Sequence, residues 1–218
     1  THRIQEVSAG LSRFDGTNLA GLMKFLNERH GLAVIDAPVK PEIKPGQTEA
    51  AQKAAQEQYE KEYQAYRYSA FKQIMEFTQK LLSDKTADAQ SRLESANSLL
   101  EFITKSGLMP ETKTEAAKMN AANPEQAQEM INMVLAVTDL ASEIYQANTE
   151  VDARLKFGVA DQLDMVSNRL ITLINAVKPK QQTQEQTNVI SLDAYRKKLE
   201  ERTKTAQANR ERYRTQAS

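Results

Sequence analysis

The stretch NPEQAQEMINMVLAVTDLASEIYQANTEVDARLKFGVADQLDMVSNRLITLINAV, residues 123–177, decides the fold. It opens as a helix start. Asn123 can cap the first free amides, Pro124 tolerates the first helical position, and Glu125 suits the positive end of the dipole. An apolar seam follows at Met130, Met133, Val137, Leu140, Ile144, Ala147 and Val151. Its alternating steps of three and four mark a helix packed along its length. From Val151 the steps become four, four and four through Leu155, Val159 and Leu163, then alternate again at Val166, Leu170, Leu173 and Val177. Such a run of fours is a stutter, where a seam drifts around its helix. Gly158 lies inside the drift, and a helix-interior Gly costs roughly 1 kcal/mol relative to Ala. The stretch therefore reads as one very long helix, or two joined by a kink, with a bend, π-bulge or break expected near Phe157 and Gly158. Unbroken, it would span roughly 80 Å at about 1.5 Å per residue, which predicts an elongated molecule.

Upstream, residues 48–82 read as a second long helix. It begins Ala- and Gln-rich, then carries Tyr59, Tyr63, Tyr66, Ala70, Ile74, Phe77 and Leu81 on one seam. A weak front half and a strong back half predict firm packing for the back half alone. Asp84 to Thr86 reads as a turn with Thr86 as cap. A third helix carries Leu93, Ala96, Leu100 and Ile103 and ends at Gly107. The connection from Met109 and Pro110 to Asn123 has room for a short helical turn. At the start of the chain, Ile4, Val7 and Leu11 keep helical spacing. Thr17 opens a clearer helix with Leu19, Leu22, Met23 and Leu26, and Gly31 supplies a left-handed stop. Residues 32–35 are the one strand-like run, and a strand there would need a second chain as partner. Pro38, Pro41 and Pro45 then force an extended arm, read as lying along the helices.

Downstream, Lys178, Pro179 and Lys180 end the long stretch, and residues 181–187 form a polar linker. Ser191 caps a last helix striped by Leu192, Tyr195 and Leu199 alone. From Arg196 to Arg214 there are eight basic residues against three acidic ones, and the whole chain is neutral, so the remainder carries about minus five. Arg196, Lys197, Lys198, Arg202, Arg210, Arg212 and Arg214, with Leu192, Tyr195 and Leu199, are the candidate partner-binding residues. Three readings stand side by side: a solvated charge-mixed helix, docking onto a partner protein, and contact with nucleic acid, which the interleaved acids would blunt.

No catalytic, cofactor or metal motif is legible. The two histidines, His2 and His30, form no Glu-x-x-His pair. Gly16 and Gly21 have phosphate-loop spacing without the Lys-Ser/Thr that would follow, and Asp15 lacks an acidic ladder for calcium. Tyr59, Tyr63, Tyr66 and Tyr68 beside Lys61, Arg67 and Lys72 resemble a base-stacking platform, but their seam spacing favours packing. Met119, Met130, Met133 and Met165 read as core filling rather than an adaptable groove. Absence of cysteine excludes disulfides and thiolate metal sites, and fits a cytoplasmic or virion protein while leaving a bacterial envelope location open. No apolar run reaches the roughly 20 residues that span a bilayer.

The expectation is an all-α protein: an elongated helical hairpin or bundle with long coiled-coil-like helices, an extended Pro-rich N-terminal arm and a basic C-terminal tail. It divides into a helix and arm (1–47), a bundle core (48–178), a polar linker (179–190) and the tail (191–218). Arms and exposed seams point to a non-enzymatic structural or assembly subunit with protein partners, homo- or hetero-oligomeric, as in a bacterial secretion apparatus or a bacteriophage particle. The rivals are a nucleic-acid accessory protein working through the tail and an enzyme whose site forms between subunits.

Overall fold

The computed structural model describes residues 2–147, 151–177 and 192–216. It is all-helical, with eight helices and no strand among the described residues. They are α1 (His2–Ser12), α2 (Leu19–His30), α3 (Glu49–Leu82), α4 (Ala89–Lys105), α5 (Lys113–Ala122), α6 (Pro124–Ala147), α7 (Ala153–Ala176) and α8 (Leu192–Gln216). The expected end of the long stretch at residues 178–180, the linker at 181–187 and the Ser191 cap lie outside the described residues.

The chain is organised around α4. Its short sequence buries Leu93, Ala96, Leu99, Leu100, Phe102 and Ile103 together with Ser91, Ser95 and Ser98, so nearly its whole circumference is covered. Helices α1, α3, α6 and α7 all pack on it. Small hydroxyl side chains let α1 come close: Ser8 and Ser12 each share a 2.9 Å hydrogen bond with Ser98, and the Gln5 amide donates to Ser91. Phe102 sits at the centre, its ring 5.0 Å from Phe14 and 5.6 Å from Phe71. Burying a side chain of that size stabilises the fold by about 1.5–3 kcal/mol. The N-terminal helices belong to this same core and do not decorate it, since Val7, Leu11 and Leu26 are fully buried within the one cluster.

The stretch is neither one 80 Å helix nor two helices in line with a kink at Gly158, but two separate helices that form a hairpin. Helix α6 stops at Ala147, and α7 starts afresh with Asp152 as its cap, whose carboxylate accepts from the Arg154 and Leu155 amides at 2.8 and 3.1 Å. The Asn120 amide, just ahead of α6, donates to the Ala176 carbonyl at the far end of α7. Lys156 at the start of α7 sits over the ring of Tyr145 near the end of α6. The two helices therefore run antiparallel, each 24 residues and about 36 Å long. The break expected at Phe157 and Gly158 is absent, because Gly158 lies inside a regular helix with Asn97 3.8 Å from where a Cβ would stand. A local cap outweighs a seam drift.

Smaller corrections follow the same logic. Asp88, not Thr86, caps α4, while Asp84 turns the chain by accepting from the Thr86 amide and hydroxyl. The connection before Asn123 holds a full helix, α5, started by a capping box of Thr112 and Glu115. Helix α2 begins at Leu19, after a loop in which Asp15 accepts from the Thr17 and Asn18 amides. Gly16 is required in that loop: its φ is +95°, and a Cβ would stand 2.9 Å from the Lys105 carbonyl oxygen. Gly31 ends α2 in the left-handed conformation, as its position predicts. The strand-like residues 32–35 join no strand ladder among the described residues; Leu32 instead bonds back to α2, its amide donating to the Leu26 carbonyl and its carbonyl accepting from the Asn27 side-chain amide.

Candidate protein-docking site

Two features stand apart from the core: the arm with the front of α3, and α8. Helix α3 is the longest, at 34 residues, yet its first buried side chain is Tyr66. Residues 49–65 hold themselves up. Thr48 caps the helix by accepting from the Ala51 amide at 3.3 Å. Five alanines supply propensity, and side-chain pairs one turn apart brace the surface: Lys53 with Glu57, Gln56 with Glu60, and Gln58 with Glu62. A helix built this way needs no core.

The arm runs beside it. From Ala33 to Ile43 no backbone hydrogen bond is made among the described residues. Half-buried positions recur every three residues, at Leu32, Ile35, Pro38 and Pro41, as an extended chain with a three-residue turn would place them. That face lies first over α2, where Val34 and Ile35 share a cleft with Met23, Asn27 and Tyr66. Pro41 and Ile43 then line a cleft with Gln52 and Gln56 of α3. Large aliphatics along the segment are nonetheless open to solvent: Val34, at the edge of the first cleft, is 66% exposed, Val39 90%, and Ile43, at the edge of the second, 76%. They are three of the five large exposed apolar residues among those described, the others being Phe157 and Met165 on α7.

Helix α8 lies along α7. Leu199 is fully buried there. Lys198 (3.5 Å) and Arg202 both reach Asp139 of α6, and Gln207 donates to Asp164 of α7 at 3.4 Å. Two of the basic residues singled out from the sequence thus neutralise an acid of their own bundle. Lys197, Arg212 and Arg214 face solvent. The side chains of Leu192, Tyr195, Arg196 and Arg210 lie outside the described residues. Under α8 a crevice is lined by Ser142, Tyr145, Leu163, Ser167, Lys198 and Arg202.

The tyrosine row serves packing. Tyr59 stacks on Tyr63 at 5.8 Å, Tyr63 meets Tyr66, and Tyr66 is buried. Arg67 donates to the Ser106 carbonyl and ties α3 to the end of α4. Tyr68 and Lys72 both donate to Glu129, fastening α3 to α6. The Lys72 hydrogen bond, then that of Tyr68, pulls the Glu129 pKa below its ordinary value. Burial, aided by Glu129, pushes the Tyr68 hydroxyl above its own. His30 is enclosed, with a side chain 3% exposed, between Phe25 and Phe77 and 3.8 Å from Glu6. Burial chiefly lowers its pKa, against the opposing pull of Glu6. Among the described residues no three His, Asp or Glu side chains converge as metal ligands, and no helix is long and apolar enough to cross a membrane.

Asp139, the anchor of α8, is signalled in the sequence only as an acid standing in the most apolar part of α6. The chain matches no protein-family profile, and no curated protein or solved structure shows significant similarity to it.

Proposed function

We propose that this chain is a non-enzymatic structural or assembly subunit of a larger protein complex, such as a bacterial secretion apparatus or a bacteriophage particle. Its docking element is the arm together with residues 49–65 of α3, and its partner is a neighbouring protein subunit. One observation carries the reading: a segment presents Val34, Val39 and Ile43 to solvent beside a helix that has no fully buried side chain for its first four turns. Extended chains with open backbone groups and alternating apolar side chains are well suited to wrapping a neighbour. Apolar side chains clustered at such exposure mark interaction surfaces rather than folding ones.

The test is the size of the particle that contains the protein in its native source, before and after Val34→Ser, Val39→Ser and Ile43→Ser are combined. The wild-type chain should run in a particle far above 24.5 kDa. The triple variant should keep its helicity and melting temperature, since exposed substitutions change stability by about 0.5 kcal/mol at most, yet leave the particle. A wild-type protein that runs alone in its native source defeats the proposal.

A further inference from the structure

The front of α3 carries a charge pattern that identifies one neighbour. Glu49, Lys53, Glu57 and Lys61 stand one turn apart in a single row, all exposed. Turning a second helix end for end about Ala55 sets Glu49 against Lys61, and Lys53 against Glu57. Two-fold symmetry repeats both pairs, so every charge in the row meets its opposite. A parallel arrangement in register would set each charge against its like. Exposed Ala50, Ala54 and Ala65 flank the row, small enough for two helix backbones to come close, while Glu49 and Lys53 also border the cleft against residues 40–43. The Gln52, Gln56, Tyr59 and Tyr63 side is half-buried within the chain itself.

We infer that residues 49–65 of α3 pair antiparallel with the same segment of a second copy, centred on Ala55, making the chain a two-fold dimer. This rests on the assembly reading above and names its first partner. Within one chain the row braces the exposed helix through one-turn pairs such as Lys53 with Glu57, at 3.9 Å. In the dimer the same charges set orientation and register, which is what interfacial charge does best. Close C2 contact of identical surfaces is also the commonest way that subunits associate.

The test uses the purified full chain. Sedimentation equilibrium should give twice 24.5 kDa for the wild type in low salt. Glu49→Lys with Glu57→Lys makes the row all basic, and Lys53→Glu with Lys61→Glu makes it all acidic. Each double variant alone should dimerise at least about tenfold more weakly, and an equimolar mixture should recover the dimer. Mixing cannot restore the one-turn pairs within either helix, so recovery reports contact between chains. Orientation is read with single cysteines, which the chain otherwise lacks. Ala54→Cys should close a disulfide across the dimer. Ala50→Cys should not, because ten residues, roughly 15 Å, separate the two sites. A monomeric wild type, double variants that still dimerise alone, a mixture that stays monomeric, or cross-linking at Ala50 as readily as at Ala54 overturns the inference. A monomer here leaves the native-particle test untouched, so the two readings fail separately.

Discussion

Phe102 is the residue on which the bundle depends most. Its ring is fully buried between Phe14 and Phe71, so Phe102→Ala opens a cavity that two rigid neighbours cannot fill. Denaturant titration should show a loss of about 3–5 kcal/mol. Val39→Ala, 90% exposed, should change stability by less than about 0.5 kcal/mol in the same assay. Gly158→Ala should do the reverse of Phe102→Ala: it removes a helix-interior glycine, and its new methyl group would meet Asn97 at an ordinary contact distance. A gain of about 0.5–1 kcal/mol is expected, read as a higher melting temperature. His30 sets the pH response. Its folded pKa lies below the ordinary 6.5, so the unfolded chain binds the proton more readily as the medium acidifies. Stability should be flat above about pH 7.5, fall as pH drops through about 6.5, and level once the folded pKa is passed. His30→Phe, which keeps an apolar ring between Phe25 and Phe77, should flatten that slope in melting curves taken across the range.

At the scale of elements, α8 rests on α7 with few buried anchors. Leu199 is its one described side chain that is fully buried, and Asp139 joins Lys198 and Arg202 to α6. Asp139→Asn should therefore release α8 while α4, α6 and α7 keep their protection, as amide hydrogen exchange will show. Uniform loss of protection across the bundle would contradict this. The helices themselves were largely legible in the sequence, because threes and fours of apolar spacing and a stop at Gly31 are local signals. The weak front and strong back of α3 were legible for the same reason. Where α6 ends was not, since the seam runs on through Ala147 and Val151 while the chain turns back at an Asp152 cap. Nor was the central place of α4 visible. Its Ser91, Ser95 and Ser98 read as a polar face, yet they are small enough to be buried against α1 and other neighbours. The site was half legible: the prolines marked a non-helical segment, but how much of it is open depends on how it lies on α2 and α3.

At the scale of the molecule, a bundle that closes around α4 leaves residues 33–47 and the front of α3 at its periphery, the surface proposed to meet other subunits. The zero net charge of the chain conceals how its parts are arranged, because the basic C-terminal helix folds back to an acid of its own bundle instead of projecting. The most direct test of the central claim is amide hydrogen exchange on the isolated chain compared with the chain in its native particle. Residues 33–65 should exchange rapidly in the isolated chain beyond any dimer contact and become strongly protected in the particle, with α4, α6 and α7 unchanged. Protection that appears elsewhere while residues 33–65 stay open would contradict the account.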